Sequence, residues 1–467
     1  MKHYKLLLVF FLVFCIRNTV FSQENAEPTK QTERYELRMD FPLLDFPFQI
    51  HTMDAMGYGF FNTYTSLSMN QSLALTANIY SAIHYGARQL SKLNGGQYEN
   101  GALVAVTVGG LTAFSYNLPF GGHPWLSREF ARSILSRHGV PSENGEMNIF
   151  SSNFVSGFTD NELSHLKETA PYDFIRAHVG GIEASLLLSD KIQRGYFFHN
   201  TDSLSWISAL LASVYSIGPA ITFFLDDAAS MNKSIATTYK DEEGSDQRER
   251  DLAFHQTVSW VYELFRPHEA YDARGKHPSG DGSVARYITI DQLTDDEKNY
   301  LSKQAYLSML NFVSPMTIGI RSISLGASGW EGNFALRHFL TSFGSDISAT
   351  VFLQNKPLNM VFTLHNYQNY ESYFPALEAE LIDFPVSFGR NEFFLSPRVM
   401  VGVQPKGQEF KTSSVEFFGL FGLNLSYKVT QNIFPYINAT AKTDGWVAGN
   451  EYLSSNVSIQ IGSSIRF

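Results

Sequence analysis

Residues 457–467 read VSIQIGSSIRF, and no other stretch restricts the fold as strongly. In an extended chain successive side chains point to opposite faces. Val457, Ile459, Ile461, Ile465 and Phe467 therefore share one face, and Ser458, Gln460, Gly462, Ser464 and Arg466 share the other. A helix would scatter the same residues around its circumference. The segment also matches a tilted strand crossing a bilayer, roughly 9–11 residues long, with an apolar side for lipid and a polar side for an interior.

The alternation recurs upstream. Val415, Phe417, Phe421, Leu423, Leu425 and Tyr427 fall on one face, as do Leu358, Met360, Phe362 and Leu364. Phe393, Leu395, Val399, Val401 and Val403 form a further stripe interrupted by Pro397, and residues 376–388 and 433–441 add weaker strands. Gly, Asn, Asp and Lys-Gly punctuate the joins. About eight candidate strands lie between Thr317 and Phe467, near the minimum for closing a transmembrane barrel. A further strand near Arg34–Phe41 would complete it, and closure matters because lipid cannot satisfy an open edge. The final aromatic residue resembles the terminal signal read by the outer-membrane barrel assembly machinery. A soluble β-sandwich gives the same alternation if a second sheet covers the apolar faces.

The opposite end, MKHYKLLLVFFLVFCIRNTVFSQ, places Lys2 and Lys5 ahead of an apolar run from Leu6 to Cys15, with Val20 and Ser22 as small residues at a cleavage position. We read a Sec signal at 1–22 and a mature chain beginning around Gln23. Lipid attachment at Cys15 is disfavoured by the bulk of Phe14 before it. Cys15 is the one cysteine, so the mature chain has neither disulfides nor thiolate metal sites. The 14% aromatic content suits packed cores or membrane-interface girdles. With a net charge of −10 and no basic runs, the chain lacks a footprint for nucleic acid.

Between these ends the pattern becomes helical. Residues 63–93 carry a stripe including Leu67, Leu73, Ile79, Ile83 and Leu90, stopped by Asn94-Gly95-Gly96. Residues 101–118 and 203–225 hold no charge and are long enough to span a bilayer. The first is rich in Thr, Ser and Gly and the second breaks at Gly218-Pro219, so both are read as helices buried in protein. Residues 239–251 and 266–286 are loops. The expected fold class is α+β: a mostly helical domain at 23–315 with a first strand near 34–41, then an antiparallel β-barrel of about 8–10 strands at 316–467.

No Walker loop, dinucleotide-binding glycine fingerprint, nucleophile elbow or complete HExxH helix is present. The most informative polar stretch is PFGGHPWLSREFARSILSRHG at 119–139, where Gly121-Gly122 and Pro124 mark the start of a helix ended by Gly139, with Arg128, Glu129 and Arg132 on its face. The run SREFAR, with IRAHVGGIEASLLL at 175–188 and LTDDEKNYLSKQAYLSMLNFVSP at 293–315, resembles an uncharacterised family of Gram-negative envelope proteins. That resemblance implies a HExxH-like helix at the first segment, a His with a nearby Glu at the second, and a zinc site of the gluzincin type. In such a site His residues at i and i+4 bind the metal and a Glu polarises its water.

This chain departs from that pattern, with Ser127 and Ala131 at the ligand positions and Arg128 in place of the Glu. His123, Glu129, His178 and Glu183 remain as metal candidates, and ion pairing of Glu183 to Arg176 is the plainer alternative. Glu129 and Arg132 suit either a solvated pair or a buried network, and His268, Glu269, Asp272, His277 and Asp281 read as a solvated loop. The expected protein lies in the outer membrane, with bilayer lipid and the assembly machinery as partners, no cofactor, and a structural, transport or assembly role. A divergent zinc metallopeptidase and a helical inner-membrane protein with a soluble β-sandwich are the alternatives.

Overall fold

The computed structural model describes residues 37–56, 66–93, 109–111, 118, 120–144, 155–199, 205–220, 246–250, 257–277 and 281–467. The expected signal segment and most of 101–118 lie outside these residues.

The chain opens with strand β1 (Arg38–Phe46), then helices α1 (Phe48–Met56), α2 (Met69–Leu93) and α3 (His123–Arg137). A short pair, β2 (Glu143–Asn144) and β3 (Val155–Ser156), precedes α4 (Asp160–Thr169), α5 (Pro171–Ala177), α6 (Gly180–His199), α7 (Ser205–Tyr215), α8 (Thr257–Phe265) and α9 (Asp295–Ser308). Ten strands follow: β4 (Ile323–Ser324), β5 (Glu331–Thr341), β6 (Gly344–Asn355), β7 (Leu358–Gln368), β8 (Tyr373–Leu381), β9 (Phe384–Phe388), β10 (Asn391–Pro405), β11 (Val415–Tyr427), β12 (Ile433–Lys442) and β13 (Asn456–Arg466). Local signals set several boundaries. Both α4 and α9 begin in a capping box, Thr159 with Glu162 and Thr294 with Glu297. Helix α3 has Pro124 in its first turn, and Gly139 beyond its end adopts φ +70°, where a side chain would be strained.

The fold is α+β, with a large antiparallel sheet of 11 strands in the order β1-β13-β12-β11-β10-β8-β7-β6-β5-β4, and β9 paired to β10. Among the described residues it has more strands than expected and does not close: β1 and β4 end the path and do not pair with each other. The first strand runs from Arg38 to Phe46 against β13, past the expected Phe41, and residues 34–36 of the expected range lie outside the described set. The stretch 376–388, expected to hold a single weak strand, contributes β8 and β9 on either side of a turn in which Asp383 has φ +48°.

The sheet is nonetheless strongly curved. Eight strand spacings separate β1 from β5 in that order, roughly 38 Å if the sheet were flat. Yet the single helix α6 reaches both: Lys191 pairs with Asp40 of β1 at 3.0 Å, and Asp190 with Arg337 of β5 at 2.9 Å. Arg194 of the same helix meets Glu380 of β8 at 2.5 Å. A helix about 10–12 Å across can touch all three only if the sheet wraps around it.

The two faces of the wrapped sheet differ in kind. On β13, Gln460, Gly462 and Ser464 are buried while Val457, Ile459 and Ile461 are exposed. Phe362 and Leu364 on β7, Val399 and Val401 on β10, and Phe417 and Phe421 on β11 also face outward, Phe417 at 82% exposure. Gly462 is required on the inner face, because a Cβ there would meet the Phe41 carbonyl oxygen at 2.4 Å and the Tyr436 ring at 2.6 Å.

The helical and β segments meet in one core. Ile175, Val258, Trp260 and Leu301 pack with Phe339, Tyr367, Met400 and Trp446, and the Trp260 indole donates to the Thr341 carbonyl at 2.9 Å. The core runs across the boundary expected at 315/316, where a 3-10 turn (Pro315–Ile318) precedes β4. Segment 203–225 is helical over Ser205–Tyr215 and again at 218–220, with Ala209 and Ala212 buried, and residues 203–204 and 221–225 lie outside the described set. No helix among the described residues is long and apolar enough to cross a membrane.

Candidate functional site

Inside the curve of the sheet lies a cavity of about 340 Å³, walled by α2, α6 and α7 on one side and by the inner faces of β1, β8, β10, β11 and β12 on the other. Its wall carries four cations, Arg38, Lys191, Arg194 and Arg398, and three carboxylates, Asp40, Glu380 and Asp383. That near balance gives no large excess of either sign to a ligand. Tyr80, Tyr85 and Phe198 supply apolar area beside them.

Most of the charges brace the fold. Asp383, in the turn between β8 and β9, accepts from Arg38 at 2.5 Å and from Arg466 at 3.0 Å, tying that turn to β1 and β13. Burial alone would raise its carboxyl, but Arg38, His199 and Arg466 hold it below the usual carboxylate range. Arg38 also donates to His199 Nε2 at 2.9 Å, and Arg194 spans Asp190 and Glu380. Arg398 forks onto Glu378 at 2.8 and 3.0 Å. An interior of this kind is stable only with its polar groups paired.

The gap between the free edges of the sheet is filled by helix. Along β1, Asn78 of α2 accepts from Asp40 N at 2.9 Å and donates to Asp40 O at 2.7 Å. Gln71, one pair of helical turns earlier, donates to Pro42 O at 3.2 Å. Along β5, Asn311 accepts from His338 N at 2.6 Å, and Leu336 N donates to Val313 O at 2.9 Å. Asn311 also donates to Ser216 Oγ, just beyond α7, at 2.8 Å. The two helices meet where His84 Nε2 of α2 lies 2.6 Å from Ser208 Oγ of α7, both side chains buried and both on the cavity wall.

A second serine–histidine pair differs chemically. Ser185 Oγ lies 2.7 Å from His123 Nε2 but donates to Gly181 O at 2.7 Å, so the ring must supply the hydrogen between them. Ser208 makes no other hydrogen bond among the described residues, which leaves its hydroxyl proton for His84.

The metal candidates are not brought together. His123 pairs with Ser185 and stacks on Tyr215, with ring centroids 4.7 Å apart. Glu129 is bound by Arg132, by Asn144 Nδ2 at 2.6 Å and by Leu67 N at 3.2 Å, making it part of a buried network rather than a solvated pair. His178 packs edge-on against Phe174, centroids 5.1 Å apart. Glu183 accepts from Arg176 at 2.6 and 3.1 Å and from Gly449 N at 2.8 Å. His178 caps the end of α5, and Glu183 lies in the first turn of α6 beyond the break. Among the described residues no three His, Cys, Asp or Glu side chains converge as a metal site, and the donor set does not fit zinc. In the 266–286 loop His268, Glu269, Asp272 and Asp281 are exposed, while His277 is buried and Asp281 pairs with Arg250.

Sequence reasoning missed Asn78, His84 and Ser208. Asn78 and His84 sit in a helix whose apolar stripe drew the attention, and Ser208 lies in an uncharged run where serine reads as helix packing. Comparison with family models, curated proteins and solved structures returned no match to this chain.

Proposed function

We propose that this chain is an outer-membrane protein whose curved sheet turns its apolar face to lipid and uses the enclosed polar cavity for its activity. The supporting observation is the inversion of the sheet: side chains such as Val457, Phe362, Val401 and Phe417 are exposed, while Gln460, Thr363, Ser426 and Arg337 are buried. Water-soluble sheets place these classes the other way round. Exposed apolar bands of this kind mark a surface that meets lipid or another protein.

A wrapped sheet in hydrocarbon needs its edges satisfied. Asn78 of α2 and Asn311, in the 3-10 turn that follows α9, supply that on the two sides, and α2 and α7 meet in the wall between them. A soluble sandwich would need a second sheet over the outer face, and the only other sheet among the described residues is the two-stranded β2–β3 pair.

The reading is tested by fractionation of cells expressing the full chain. The protein is expected in the outer-membrane fraction, resistant to detergents that extract inner membranes, and to migrate differently on gels with and without heating. Recovery as a freely soluble periplasmic protein would sink it.

A further inference from the structure

We infer that Ser208 and His84 form a nucleophile and general-base pair that cleaves carboxylic esters of neutral or zwitterionic amphiphiles. Three observations converge on this pair. The hydroxyl and the imidazole nitrogen are 2.6 Å apart, within the distance such a pair requires. The Ser208 hydroxyl has no competing acceptor among the described residues, in contrast to Ser185, whose proton is committed to Gly181 O beside His123. Both side chains also line the cavity, whereas a hydrogen bond serving only to join two helices has no need of an adjoining space.

The location adds the substrate class. The pair sits where α2 meets α7, in a part of the wall covered by no strand among the described residues. An amphiphile in the bilayer would reach the cavity there without crossing a hydrogen-bonded ladder, a step that rests on the membrane reading above. Four cations against three carboxylates leave the wall almost neutral, which suits an uncharged or zwitterionic head better than a strongly anionic one.

In the reaction Ser208 Oγ adds to the ester carbonyl carbon while its proton passes to His84 Nε2. The tetrahedral adduct collapses, the C–O bond to the alcohol breaks, and the alcohol leaves with that proton. Water then adds to the acyl-serine with His84 again accepting a proton, and the carboxylic acid departs as Ser208 is restored.

The test uses full-length protein purified in detergent, with p-nitrophenyl butyrate as substrate and a fluorophosphonate as covalent probe. Neither depends on where the protein resides in the cell, so failure here is distinct from failure of the fractionation test. We expect ester hydrolysis and a single fluorophosphonate adduct mapped by mass spectrometry to Ser208. Ser208→Ala should abolish both. His84→Gln retains an acceptor for Ser208 and hence the contact between helices, and should lower turnover roughly 100-fold or more with unchanged thermal unfolding. Absence of an adduct on the folded wild-type protein, an adduct at another serine, or hydrolysis unaffected by His84→Gln would each overturn the assignment.

Discussion

Asn78 holds the backbone of Asp40 as a neighbouring strand would, accepting its N–H at 2.9 Å and donating to its C=O at 2.7 Å. One side chain of a helix thereby covers a residue on the open edge of an 11-stranded sheet, and Asn311 plays the corresponding part at His338. Asn78→Ala strips both groups of Asp40 of their partner, at roughly 1–3 kcal/mol for each group left unpaired in a dry site. Denaturant titration should show the loss, and Asn311→Ala should act similarly from the other edge. A change below about 0.5 kcal/mol in both would mean that the edges are not sealed in this way.

Glu451 makes stability depend on pH. It lies in the connection between β12 and β13, where burial and the nearby Asp45 raise its carboxyl to about 8, despite hydrogen bonds including one from Met69 N at 2.5 Å. In the unfolded chain it ionises near the ordinary value of about 4.3. Below that pH both states hold the proton and the group is neutral toward folding. Between there and about 8 only the unfolded state ionises, so stability falls as pH rises through this window. Glu451→Gln should unfold at higher denaturant than the parent at pH 8, with the difference vanishing near pH 4. An identical pH profile for both proteins would contradict the assignment.

Asp173 has the opposite sign. Burial favours its neutral form, yet Arg137, at 2.5 Å, together with His138 and Arg176, brings it below its usual value. Its contribution is present above the unfolded value of about 3.9 and is lost as pH falls through the lower folded one. Asp173→Asn should therefore be less stable than the parent at neutral pH, and the gap should narrow under acid. A constant gap from pH 7 to pH 2 would show that the carboxylate charge is not what matters.

Glu183 has a structural role. Its pair with Arg176 is fully buried, and Arg176 also donates to Asn450 O at 2.7 Å, so the two residues anchor the connection after β12 to α5 and α6. Glu183→Ala should cost roughly 3–5 kcal/mol by leaving an uncompensated guanidinium. Metal content measured on parent and variant should be the same. Stoichiometric zinc in the parent that disappears in the variant would reverse this conclusion.

Phe421, opposite Val399 and Ala441 on the outer face of β11, probes the membrane reading. Phe421→Arg should destabilise the protein in bilayer vesicles by about 2–4 kcal/mol if the residue lies near the bilayer midplane. A soluble sheet would instead tolerate the arginine and become more soluble. Refolding yield in vesicles, read from heat-dependent gel migration, separates the outcomes.

The alternation of Val457 to Phe467, and that of the stretches around Phe362, Val401 and Phe421, determined strands, their two faces and an antiparallel sheet, because side-chain direction in an extended chain follows from position alone. The helices at 69–93 and 123–137 were likewise legible from periodicity and from the Gly, Pro and capping residues at their ends. What tertiary structure decided was whom each polar residue meets. Pairing with Arg176 was the plainer sequence reading of Glu183 and the fold makes that pair, but the sequence could not by itself show that it is fully buried. Nor could Asn78, His84 and Ser208 be linked to Asp40, to each other and to a cavity, since these partners stand 38 and 124 positions apart in the chain. Periodicity encodes the direction of a side chain relative to its own backbone. The closing of a wall and the pairing of a serine with a histidine depend on distances between segments, which arise only when the sheet curls around α6.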